Sequence, residues 1–437
     1  MHRYFPHTDE DIRQMLDLIG VKSLDDLFAE IPEELKLKGE LNLPEGKSEA
    51  EIRSIFARLS AMNKPLTCFA GAGAYDHYTP SVIPYITSRS EFLTSYTPYQ
   101  AEISQGTLMY IFEYQTMMSN LTGMDVSNAS MYDGATATAE AMMMTCAASK
   151  KRNRVLASGT LNPAVLDVLK TYAHFHGINL EIVPAKDGQS DRKSISAKLA
   201  EGDVAGLIVA QPNYYGIVED FTGLADECHT QKTLLVITGP ASPLGVLKSP
   251  GEWGADIACG DAQSLGLPLN YGGPYIGYLC VKSALIRKMP GRIVGQTEDT
   301  EGKRTFVLTM QAREQHIRRE KATSNICTAQ GIMCLYVAIY LSLMGPKGLV
   351  EVNDISMKNA HYLCDALVGT GHFKLTYDAP FLNEFCLTYD GDVDALIKKC
   401  AEEGILAGVK VDNNKLLVAV TEQRTKAEMD LLVSLAK

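Results

Sequence analysis

Four stretches of this chain gather side chains that could do chemistry. The first is YDGATATA (132–139), a glycine followed by small and hydroxyl-bearing residues just before a helical run, Glu140 to Ser149. Bare backbone N–H groups at a helix start, helped by the helix dipole, favour an anion. The same small residues would equally serve a tightly packed loop–helix junction. Gly134, Ala135 and Thr136 are therefore candidates for a phosphate cup, with both readings open. The second is VAQPN (209–213), a polar, proline-fixed end to an apolar run. Ligands of open α/β sheets bind beyond such ends, although an ordinary strand exit has the same composition. The third is DAQSLGLPLNYGGP (261–274), a long loop between two apolar runs. Long loops inside compact domains are often functional, yet from Gly260 to Val281 this one contains no lysine. The fourth, QAREQHIRREKATSN (311–325), concentrates Arg313, Arg318, Arg319 and Lys321. A charge run is by default the solvated face of a helix, and arginine forks also suit phosphate or carboxylate recognition.

Other chemistries find no support. AGAG (70–73) lacks the third glycine of a dinucleotide loop and follows no strand–helix unit. His174-Phe-His176 has no accompanying ligand set, so no metal site is expected. No GxSxG elbow occurs. The formal charge of −11 argues against a nucleic-acid or anionic-membrane partner. No uninterrupted apolar stretch approaches the ~20 residues of a membrane span. Ten cysteines are scattered singly among mostly apolar neighbours, as suits reduced core thiols in a cytoplasmic protein.

The elements that must position these stretches follow from periodicity and caps. Residues 1–65 read as a helical arm: Thr8-x-x-Asp11 precedes Ile12, Met15, Leu16 and Ile19, and Ser48-x-x-Glu51 precedes Ile52, Ile55, Phe56 and Leu59. A helix is expected over Gln105–Leu121. Apolar runs at Arg154–Ala157, Leu180–Val183, Val204–Ala210, Thr233–Thr238, Ala255–Cys259 and Tyr275–Val281 alternate with helical segments. That alternation predicts an α/β domain, residues 66–330, with a mostly parallel sheet covered on both faces. A helix-rich bridge from Met310 to about Val368 leads into a small α+β domain, which with its connecting helix takes up residues 331–437. There, Asn383–Leu387 and Lys415–Val420 read as strands, and Val393–Glu403 and Lys426–Ala436 as helices.

Several strings then resemble one family along nearly the whole chain. They are GAGAYDHYTPSVIP (71–84), the segment 94–142, GDAQSLGLPLNYGGPYIGY (260–278), MQAREQHIRREKATSNICTAQ (310–330) and PFLNEFCL (380–387). The family is glycine dehydrogenase (decarboxylating), the P-protein of the glycine cleavage system. More narrowly, the chain resembles its N-terminal half, which many prokaryotes encode as subunit 1. The resemblance implies the aminotransferase-like fold of pyridoxal-phosphate enzymes of type I. It also implies decarboxylation of glycine and transfer of the aminomethyl group to the lipoyl arm of H-protein.

Against that expectation, this chain lacks what the cofactor needs. Asp261, Ala262, Gln263 and Ser264 stand where a cofactor-holding lysine would follow the Ala255–Cys259 strand. Thr238-Gly-Pro240 stands where a carboxylate would face the pyridine nitrogen. The resemblance thus implies no catalytic residue on this chain alone and an isolated chain without activity. Pyridoxal phosphate would be held by the lysine of subunit 2 in a pseudo-symmetric pair, assembled as α2β2. This chain would lend Tyr96, Thr97, Tyr99, Gln100 and Glu102 near the substrate glycine, or use those tyrosines for interface packing. Arg318, Lys321, Thr323, Ser324 and Asn325 would reach the partner's cofactor phosphate or a nearby anion. The Arg287–Arg292 turn and the 313–321 cluster are candidate surfaces for an acidic carrier. Two other readings remain: a non-catalytic scaffold or regulatory pseudo-enzyme of the same fold, and a self-sufficient enzyme using an unexpected lysine such as Lys248.

Overall fold

Local rules set the N-terminal elements. The Thr8 hydroxyl accepts the Asp11 N–H, the Asp11 carboxylate accepts the Thr8 N–H at 2.7 Å, and the helix Asp9–Ile19 begins there. Gly20, at φ +86°, ends it. Ser48 and Glu51 open the helix Glu49–Ala61 in the same way. A computed structural model describes residues 4–149, 151–270, 272–311, 314–322 and 324–437. They divide into two compact units, Met1–Lys64 and Pro65–Lys437. In the first unit, among the described residues, only Leu16 is buried, whereas Leu18 (91% exposed), Phe28, Leu37, Phe56 and Met62 face solvent.

The second unit is built on a seven-stranded sheet in the spatial order 126–127, 277–281, 257–261, 234–240, 204–210, 154–158, 179–183. The five strands from Ile257–Asp261 to Asn179–Val183 run parallel, and Gly277–Val281 is antiparallel to both of its neighbours. Side chains alternate across it. Val155, Ala157, Ile208, Val236 and Ile257 pack on the helix Gly134–Ser149 through Ala137, Ala141, Met142 and Met144. Leu156, Leu207, Val209, Leu235 and Ile237 pack on the opposite face against Ile195, Leu199, Leu224 and Cys228. Both faces are dry, as continuous apolar strands require. The helix Gly134–Ser149 is buried from Ala137 to Thr145 and lies close to the sheet because Gly206 has no side chain. A Cβ there would sit 2.6 Å from the Thr145 side chain.

A third core joins the helix Gln105–Thr122 to the long helix Gly331–Val368 through Leu108, Ile111, Tyr114, Met118, Cys334, Leu335, Val337 and Tyr340. By length and composition this long helix could cross a membrane, but those side chains lie in the core, and the helix is broken at Gly345 (φ 59°, ψ −177°) before Pro346. It starts at Gly331, so the bridge expected from Met310 is not one helical run. Among its described residues the segment before it carries a turn of α-helix, Gln315–Arg318, and a 3₁₀ turn, Arg319–Lys321. Met310 and Arg319 sit at φ +55° and +53°, left-handed positions that no α-helix can include. A hairpin, Ile293–Glu298 with Arg304–Thr309, was not expected. It is fastened to the helix Gln105–Thr122 by Gln115, whose side chain exchanges two 2.9 Å bonds with the Val294 backbone.

The C-terminal residues form an antiparallel sheet in the order 373–375, 384–389, 415–419, 409–412, with Val393–Glu402 and Lys426–Leu435 as helices. Thr67–Cys68 pairs with Ile405–Leu406, and Phe69 is buried in the same core. Gly216, at φ +82°, lies against this sheet. An added Cβ would stand 1.9 Å from the Glu384 carbonyl oxygen. Gly216→Ala therefore combines a left-handed backbone with a steric clash, and it is expected to cost about 2 kcal/mol or more. A urea unfolding midpoint that falls at unchanged slope is the expected result.

Candidate functional site

The sheet fixes where a ligand can sit. The chain passes from strand 154–158 outward to 179–183, then returns to 204–210 on the other side of 154–158. That reversal opens a crevice beyond the carboxyl ends of the strands. A cavity of about 280 Å³ lies there, lined by Leu161 and Asn162, by Pro212 and Asn213, by Thr238–Pro240, by Gly260 and Asp261, and by Asp133–Ala135. Tyr75 and Glu384 complete its wall. Asn213 is spent on structure: its amide donates to Glu219 and Gly188, and its oxygen accepts the Tyr215 and Ile217 N–H groups. The polar VAQPN exit is thus a braced turn.

Among the described residues the wall carries three carboxylates, from Asp133, Asp261 and Glu384, and no lysine, arginine or histidine. Glu384 accepts the Ala72 N–H at 2.6 Å and the Tyr75 hydroxyl at 2.8 Å. Burial raises its pKa to about 7, although those two donors pull the other way. AGAG (70–73) proves to be the wall that meets it, since a Cβ at Gly71 would lie 2.3 Å from the Glu384 carboxylate. Asp261 accepts the Gln263 N–H at 2.8 Å and the Gly134 N–H at 3.1 Å. Burial lifts its pKa to about 7 against the pull of these amides, with a smaller push from Asp133.

The Gly134–Thr136 cup is consequently not the open anion site that one reading of the sequence expected. Asp261 takes the Gly134 amide, and Asp133 takes the Thr136 amide at 2.7 Å. The helix begins at Gly134 itself, so these are its first-turn donors. Pyridoxal phosphate does not fit this cavity. Among the described lining residues none can hold it covalently, the Gly134 amide at the helix start is taken by a carboxylate, and Thr238 shares a 2.9 Å bond with Thr138 where the resemblance calls for a carboxylate.

The other expected residues gather outside the cavity. Tyr96 (85% exposed), Tyr99, Gln100 and Glu102 face solvent, with Thr97 half-buried, in the loop before the helix Gln105–Thr122. Arg318, Lys321 and Asn325 are exposed, Ser324 is half-buried, and Thr323 lies outside the described residues. Arg292, considered earlier only as part of a docking turn, joins the two segments. Its guanidinium donates to the Tyr99 hydroxyl at 3.2 Å and to the Cys327 carbonyl at 2.8 Å. It lies over the Tyr99 ring, whose edge meets His316. Tyr132 accepts the Cys327 and Thr328 N–H groups. Ser324 bonds Glu140, a carboxyl on the Gly134–Ser149 helix that burial raises to about 7, against the opposing effect of the Ser324 hydroxyl. Nothing in the spacing of Arg292 or Glu140 marks them out, because their partners lie far away in sequence.

The family described as Glycine cleavage system P-protein matches residues 2–435. A protein of Anoxybacillus flavithermus named "Probable glycine dehydrogenase (decarboxylating) subunit 1" is 47% identical over 442 residues, covering 99% of this chain and 98% of that one. A protein of the same name from Geobacillus sp. (strain WCH70) is also 47% identical over the same shares. Among solved structures, a glycine decarboxylase (P-protein) of the glycine cleavage system in inhibitor-bound form is 41% identical, with a TM-score of 0.91 and 99% of each chain covered. A Burkholderia pseudomallei sphingosine-1-phosphate lyase, 14% identical, shares the fold alone at a TM-score of 0.67 over 92% of each chain. The fold is that of pyridoxal-phosphate enzymes of type I.

The raised carboxyls carry a sign that can be measured. Glu384 titrates at about 7 in the folded chain against an ordinary value of 4.5. Between those values the folded protein keeps a proton that the unfolded chain has released, so stability falls as pH rises. Glu384→Gln keeps the shape and removes the titration. Its stability relative to the unsubstituted protein is expected to rise by up to about 1.4 kcal/mol per pH unit between pH 5 and 7. Urea unfolding across that range reads the slope, and a flat difference would contradict the assignment.

Proposed function

The chain belongs to the glycine cleavage system P-protein family, and on that premise we propose that it is the subunit-1-type half of a glycine decarboxylase whose cofactor lysine belongs to subunit 2. The observation that carries this reading is the lysine-free, carboxylate-lined cavity beyond the strands, in a chain that aligns with subunit-1 proteins over 99% of its length. A chain of this fold that cannot hold pyridoxal phosphate contributes to the reaction from outside its own crevice.

The contribution we assign comes from the outward-facing segments. Tyr96, Thr97, Tyr99, Gln100 and Glu102 line the pocket near substrate glycine, held in place by the Arg292 fork on Tyr99. Arg318 and Lys321 form no ion pair among the described residues and are free to meet an anion of the partner's site, with Thr323, Ser324 and Asn325 beside them. Pyridoxal phosphate, when bound to subunit 2, supplies the electron sink for decarboxylation. The residues here orient the substrate, exclude water and balance negative charge. The pair assembles as α2β2, and lipoylated H-protein takes the aminomethyl group at the same mouth. A cytoplasmic setting suits the cysteines, which are free thiols and mostly buried.

Two measurements test this. Mixed with pyridoxal phosphate, the chain alone is expected to show no absorption band of a lysine-bound cofactor and no borohydride-fixed adduct, while the mixture with subunit 2 shows both. A stoichiometric adduct on one lysine of this chain would identify it as a self-sufficient enzyme. In the assembled complex, Lys321→Ala and Tyr99→Phe are each expected to lower turnover about tenfold or more, a loss of roughly 1.4 kcal/mol in transition-state stabilisation, with assembly intact. Unchanged turnover would favour the scaffold reading.

A further inference from the structure

We propose that Asp261 is a resident anion: its carboxylate occupies the place at the N-terminus of the Gly134–Ser149 helix that a phosphate would take, and so closes the chain's own cavity to phosphate-bearing ligands. The inference goes beyond the proposed function, since it concerns why this cavity rejects such ligands and which residue decides it.

Three observations carry it. The Gly134 amide, the first of the helix, already donates to Asp261 at 3.1 Å, and the Thr136 amide donates to Asp133. Two of the donors that would cradle a phosphate are therefore engaged by side chains of the protein itself. The fit is also steric. A Cβ at Gly134 would lie 2.9 Å from the Asp261 Cβ, so the carboxylate stands hard against the helix start with no room between them for a second anion. Its backbone is brought there by Gly260, at φ +149°, which lets the strand run so close that a Cβ would meet the Gly239 carbonyl oxygen at 1.8 Å. Finally, among the described residues no cationic side chain lines the cavity, while Asp133 and Glu384 do, so an entering phosphate meets repulsion there.

The arrangement makes Asp261 a specificity determinant. Removing it should uncover the Gly134 amide in a buried, electropositive helix start and create an anion site where none operates. Replacing it by Asn keeps an acceptor for that amide and still fills the space. The test is anion rescue. Melting temperatures of the full chain are measured in sodium formate and in sodium sulfate, against sodium chloride at equal ionic strength, for the unsubstituted protein, Asp261→Ala and Asp261→Asn. Asp261→Ala is expected to melt lower in chloride and to recover on the order of 2 °C or more with formate or sulfate, the small carboxylate filling the vacated space. The unsubstituted protein and Asp261→Asn are expected to respond to neither. A folded Asp261→Ala that gains nothing, or an unsubstituted protein that gains as much, overturns the proposal, the latter marking an adventitious anion effect elsewhere. Should Asp261→Ala fail to fold, a titration of the unsubstituted protein decides: saturable binding of inorganic phosphate or pyridoxal phosphate sinks the proposal, and its absence up to millimolar concentrations supports it.

Discussion

The carboxylate of Glu384 stands inside the protein on a strand of the C-terminal sheet, and two donors from the 70–75 loop reach it: the Ala72 amide and the Tyr75 hydroxyl. Tyr75 is gripped in turn by Gln263, whose side chain bonds both its N–H and its carbonyl. Three parts of the chain distant in sequence thus share one buried polar network. A buried carboxylate deprived of its donors is costly, so none of the three can move without the others. Gly71 and Gly216 lack side chains because this joint leaves no space for them. The cavity wall, the C-terminal sheet and the loop after strand 257–261 are positioned together by it.

Charge is sorted by the same architecture. Inside the crevice lie Asp133, Asp261 and Glu384, with no cation among the described residues. Outside it, Arg292 bridges Tyr99 and Cys327, and Arg318 and Lys321 stand exposed on the following segment. On the proposed reading, a small anion is turned away from the chain's own crevice and drawn to the exposed cations of that segment. The two behaviours share a wall. The loop 130–134 carries Tyr132, which anchors the Cys327 backbone on one side, and Asp133 and Gly134, which seal the crevice on the other.

How much of this the sequence discloses depends on the range of the interaction. Capping boxes at Thr8, Ser48 and Thr425 are local and legible, as are the apolar strands, whose burial on both faces leaves no polar alternation to misread. The missing lysine was visible as a plain absence between Gly260 and Val281. The hairpin 293–309 was not legible, because its exposed Gln, Thr and Glu positions resemble a loop and its anchor, Gln115, lies on a distant helix. The charged 311–325 stretch looked like a helix face, yet left-handed backbone at Met310 and Arg319 confines its helical structure to single turns. Asp261 reads in sequence only as a residue that is not lysine. Its bond to Gly134, 127 positions away, exists because strand 257–261 and the helix start are brought together by the sheet.

The exposed apolar residues of Met1–Lys64 have a consequence for the life of the polypeptide before it finds any companion. Leu18, Phe28, Leu37, Phe56 and Met62 are exposed on a unit with a single buried side chain among its described residues. Chaperones and proteases recognise surfaces of that kind, and a copy left in excess is held or degraded rather than accumulated. Synthesis in step with a partner that covered that surface would spare the chain this loss.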